Sequence, residues 1–167
     1  MVKRSVVIAV CWICAAGGTG YAQSKADAEK LARELKGDKA GQAADNRQCK
    51  LFTKSEATQY IGVPATQVDN AAMGTGCQWT TGGNGSLMVQ VVPARYHERP
   101  SGAPGYKKLP EIEPQSFVVP EMGGWHAGSL QGTHAIHVML SGKGATEART
   151  VELLKEAIKR DAAIPAK

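Results

Sequence analysis

Gln78-Trp79-Thr80-Thr81, Gly82-Gly83-Asn84-Gly85 and Ser86-Leu87-Met88-Val89-Gln90-Val91-Val92 read in succession as a strand, a tight turn and a second strand. In the second strand Leu87, Val89 and Val91 point one way, and Met88, Gln90 and Val92 the other. Downstream, Ser116 to Val119, Trp125 to Leu130 and Thr133 to Leu140 carry the same signal, and Gln131-Gly132 joins the last two as a hairpin.

Helices flank these strands. Thr53-Lys54-Ser55-Glu56 fits a capping box and opens a helix that runs to about Ile61, where Gly62 and Pro64 stop it. Thr146 to Arg160 sets Val151, Leu154, Ala157 and Ile158 on one face, with Lys155, Lys159 and Arg160 towards the favourable C-terminal end of the dipole. Helix, two strands, a long loop, three strands and a helix predict an α+β domain over 49–161. The economical architecture is an antiparallel sheet of about five strands with helices packed on one face. Residues 162–167 read as a tail.

The N-terminus reads as an address. Met1-Val2-Lys3-Arg4 is basic, Val6 to Ala16 is apolar, and Gly20-Tyr21-Ala22 offers small residues for cleavage after Ala22. A lipoprotein using Cys11 or Cys14 is the rival, although Val10 and Ile13 stand where a small residue is wanted; an uncleaved anchor is the third alternative. The expected location is periplasmic or secreted. In the 23–48 segment, Ala28, Leu31, Ala32 and Leu35 mark an amphipathic helix over Ala26 to Lys36, and Asp38 to Gln48 reads as a polar linker.

Removing Lys3 and Arg4 with the leader leaves 18 basic and 15 acidic residues. That excess suits an anionic envelope surface and is too small and too dispersed to name nucleic acid as partner. No apolar run after the leader is long enough to span a bilayer. Cleavage also leaves two cysteines, Cys49 and Cys77. In an oxidising compartment an even pair without C-x-x-C spacing reads as one disulfide.

Cys49-Lys50-Leu51-Phe52-Thr53-Lys54-Ser55-Glu56-Ala57, Ile61-Gly62-Val63-Pro64 and Cys77-Gln78-Trp79 together resemble the opening of small exported bacterial domains of unknown function, of the DUF3558 type. The resemblance covers about residues 47–161. It implies that Cys49 and Cys77 are the bridged pair, that Trp79 packs beside them, and that the role is binding or accessory rather than catalytic. The chain departs from the type in lacking a good lipobox and in its N-terminal helix and linker.

The segment from Ala94 to Lys108 has no periodicity and gathers Arg95, Tyr96, His97, Arg99, Tyr106, Lys107 and Lys108. Long aperiodic loops in small domains are functional or mobile, and arginine with tyrosine is characteristic of interface hot spots. The loop, with Trp125 and His126 as a second candidate patch, is the expected contact with another envelope protein or an anionic envelope surface. No G-x-S-x-G elbow or phosphate loop is present, and no catalytic residue, cofactor or metal is assigned. The alternatives are an inhibitor or immunity-type protein that binds one enzyme, and a small histidine- or metal-dependent hydrolase built on His126 and His134, which could meet across the hairpin. His134 and His137, three apart on a strand, point to opposite faces.

Overall fold

The computed structural model describes residues 43–83, 85–121 and 123–164. The leader, the Ala26 to Lys36 helix and the first part of the linker lie outside them. Seven strands form one antiparallel sheet: β1 (Gln67–Ala71), β2 (Gly76–Thr80), β3 (Ser86–Pro93), β4 (Lys107–Lys108), β5 (Phe117–Glu121), β6 (Gly124–Gln131) and β7 (His134–Ser141), in the order β1-β2-β3-β7-β6-β5-β4. The expected α+β class holds, but the sheet has seven strands rather than about five. The two additional ones are its edges. β1 alternates half-buried with exposed residues, and β4 is two exposed lysines, so neither carries the apolar alternation that marks a strand in sequence.

Two helices, α1 (Lys54–Ile61) and α2 (Glu147–Ala163), cover one face. The Thr53 hydroxyl accepts from the Glu56 amide while the Glu56 carboxylate accepts from the Thr53 amide, which closes the capping box. Gly62 ends α1 at φ 83°, where a Cβ would be strained. Beneath the helices Cys77, Trp79, Leu87, Val89, Ile136, Val138 and Leu140 meet Ala57, Ile61, Leu153, Leu154 and Ala157 in one apolar core. Cys49 and Cys77 are bridged, with Cα atoms 5.0 Å apart.

Both domain edges are wider than the sequence suggested. Residues 43–48 are not linker: Ala43–Asp45 and Arg47–Lys50 are 3₁₀ turns, and the Asn46 side-chain amide donates to Asn70 Oδ1 and to the Gly74 and Gly76 carbonyls. A single side chain thereby satisfies backbone acceptors around the β1–β2 connection. At the other end residues 162–163 continue α2, and Ile164 packs against the core. Arg47 donates to the Asp161 and Ile164 carbonyls at the helix end, where carbonyls run out of intrahelical partners.

Candidate functional site

The sheet face away from the helices is where His97, His126 and His137 gather. Pairing across the strands sets two rows there: Gln90, His137, Gly128 and Phe117, and beside it Met88, Met139, His126 and Val119. Gly128 lies between two rings. A Cβ on it would stand 2.7 Å from Phe117 Cε1 and 2.9 Å from His137 Nδ1, so only glycine lets those rings and His126 close over the strand.

Three imidazoles then form a chain. His126 Nε2 lies 3.0 Å from His137 Nδ1, and His137 Nε2 lies 3.2 Å from His97 Nδ1. The outer ends are held as well: His126 Nδ1 is 3.0 Å from Glu121 Oε2, and His97 Nε2 is 3.2 Å from the Gln115 carbonyl. Phe117 packs edge-on against His126 and against His137. Burial drives the His137 pKa down to about 3, with the His126 and His97 charges adding to the effect. Burial also lowers His126, against the opposing pull of Glu121. Both central rings are therefore neutral at physiological pH.

Occupied nitrogens limit what this cluster can do. Neither ring nitrogen of His126 or His137 is left to take a proton from a substrate. His137 addresses its two neighbours through different nitrogens, so the three rings do not converge on one point. Among the described residues no group of three or more His, Cys, Asp or Glu is placed to hold a metal ion. Beside the chain lies an open cavity of about 490 Å³, with Val119, Met139 and His126 against it and Glu98, Arg99 and Glu121 around it.

The chain matches no family model, no curated protein and no solved structure. What the site offers is its geometry.

The sequence candidates divide into anchors and presented groups. Within the loop, the Arg95 guanidinium stands 4.8 Å from the centre of the Tyr96 ring, and Ala94–Tyr96 is a 3₁₀ turn. His97 joins the imidazole chain, and Tyr106 stacks on Phe117 with centroids 5.7 Å apart. Lys107 donates to Glu147 of α2 at 2.6 Å. Arg99 and Lys108 are exposed. Trp125 and His126 do not form a patch: they alternate across β6, so Trp125 packs against the helix-side core while His126 is buried on the other face. The proposed meeting of His126 with His134 does not occur either. His126 pairs with Met139 and His134 with Gln131, which puts the two histidines on opposite faces, and His134 contacts Asp161 of α2 at 3.1 Å.

His137, Gly128, Glu121 and Phe117 are members of the site that sequence reasoning missed. The hairpin at Gln131-Gly132 carried the signal. Its pairing of Gln131 with His134 fixes His126 opposite Met139 and Gly128 opposite His137, which makes His126 and His137 diagonal neighbours on one face.

Proposed function

We propose that this chain is a non-enzymatic, exported binding domain that contacts another envelope component through the 94–108 loop. The observation that carries the reading is the division of labour within that loop. His97 and Tyr106 turn inward onto His137 and Phe117, whereas Arg99 and Lys108 stay exposed and make no ion pair among the described residues. A loop fastened by its own rings loses little conformational freedom when it binds. A free guanidinium at the mouth of a cavity suits a carboxylate or phosphate on the partner. The leader-like N-terminus, the disulfide and the resemblance to exported domains support the envelope as the place of action. Against acid–base chemistry stands the engagement of both nitrogens of the buried histidines.

The test is crosslinked capture by tagged protein in its native envelope, run beside Arg99→Ala/Lys108→Ala. One stoichiometric partner, lost in the variant at unchanged melting temperature, is expected. Equal capture by both proteins would remove the loop from the reading.

A further inference from the structure

Four contacts in series cross the open face: Glu121 to His126, His126 to His137, His137 to His97, and His97 to the Gln115 carbonyl. Each is a hydrogen bond only if one hydrogen lies within it, so the complete chain requires four. The Gln115 carbonyl can only accept, which assigns the last hydrogen to His97 Nε2. A neutral imidazole carries one N–H, so ionised Glu121 with three neutral rings supplies three hydrogens. A lone pair set against the Glu121 carboxylate is the costliest gap, so His126 donates to it through Nδ1. His137 then has one N–H for two neighbours, and at one of its contacts two lone pairs face each other.

One additional proton completes the chain, and of the four arrangements that do so two leave both buried rings neutral. In the first, Glu121 is a carboxylate, His126 and His137 donate through Nδ1, and His97 is an imidazolium donating through both nitrogens. In the second, Glu121 is a neutral carboxyl and all three rings donate through Nε2. Either way the buried rings stay neutral, and any charge sits at the ends, on the exposed Glu121 and the half-buried His97.

We propose that the 94–108 loop is a proton-operated strap: seating His97 on His137 takes up one proton, so the loop is clamped on the acidic side of the histidine range and loosens on the alkaline side. The charged and titratable groups facing the chain are Glu121 from β5, His126 from β6 and His137 from β7. From the loop they are His97, Glu98, Arg99 and Tyr106, the last stacked on Phe117. Arg99 lies two residues beyond His97, so its presentation follows the strap. That consequence rests on the binding reading above; the strap itself does not.

The test uses the disulfide-bonded protein alone. Amide hydrogen exchange over 94–106, corrected for intrinsic rate, and imidazole ¹⁵N shifts are followed from about pH 5 to about pH 8, across the ordinary histidine range. Loop opening should grow with pH by up to about tenfold per unit, the ceiling for one linked proton. The His126 and His137 rings should stay neutral throughout.

Two variants separate this from simple packing. Glu121→Gln introduces an amide that donates to His126 Nδ1, so three neutral rings complete the chain and the loop should stay protected at pH 8. His97→Gln removes the linked proton, and the pH dependence should vanish. Exchange independent of pH in the native protein, or a pH dependence unchanged in Glu121→Gln, would overturn the proposal. Equal partner capture by the Arg99/Lys108 variant would sink the binding reading and leave these exchange results standing.

Discussion

Gly128 and His137 depend on each other. Two rings occupy the space a side chain would fill, so Gly128→Ala should cost about 1–3 kcal/mol by overpacking and separate His126 from His137. Urea unfolding and the loss of the coupled imidazole shifts would report it. His137 also makes stability fall on acidification. Its folded value of about 3 lies below the ordinary 6.5, so the unfolded chain takes up the proton first. Its contribution is complete above about pH 6.5 and is lost as pH falls towards 3, with a slope of at most about 1.4 kcal/mol per pH unit. The strap's single proton does not reverse this, because the unfolded chain protonates all three rings. His137→Gln should flatten the profile of denaturation midpoints between pH 7 and pH 4; an unchanged profile would refute the assignment. At this scale the diagonal pair on the hairpin was legible from register, since strand alternation and one turn suffice to place it. His97 was not, because no period governs where a fifteen-residue loop sets down its side chains.

Arg160 ties the two helices to each other above the shared core. Its guanidinium bonds Glu56 of α1 at 2.8 Å, Glu156 at 2.7 Å and the Leu51 carbonyl at 2.7 Å, and lies 4.6 Å from the Phe52 ring centre. That hold keeps the Glu56 carboxyl down at about 2, with Arg160 the main cause and the Thr53 amide the next. Arg160→Ala should destabilise by about 2 kcal/mol, read from urea unfolding, and return Glu56 to the ordinary carboxylate range. In the native protein the contribution of this carboxylate is complete above about pH 4.5 and lost as pH falls towards 2. Both helices could be read from sequence because their signals are local: a capping box, a glycine stop, an amphipathic stripe. β1 and β4 could not. Gln67-Val68-Asp69-Asn70-Ala71 is extended because it pairs with β2, and Lys107-Lys108 because it pairs with β5; neither segment would choose that state alone.

Across the whole molecule, helices lie on one side of the sheet and the loop on the other, with the disulfide tying the N-terminal turns to β2. Replacing Cys49 and Cys77 together by serine should cost about 3–4 kcal/mol, measured as a drop in the unfolding free energy, because the bridge closes a long stretch of chain. Among the described residues no helix is long and apolar enough to cross a membrane. The strand order has a temporal meaning. β1, β2 and β3 form one meander and β4 to β7 another, and the two join where β7, the last strand of the described residues, lies against β3 at the middle of the sheet. The centre of the sheet therefore cannot form before residues 134–141 are made. Without residues 134–141, β3 and β6 each present an unpaired edge, and pairing of the two halves depends on this one strand. Any truncation before residue 134 therefore leaves two meanders with no shared edge.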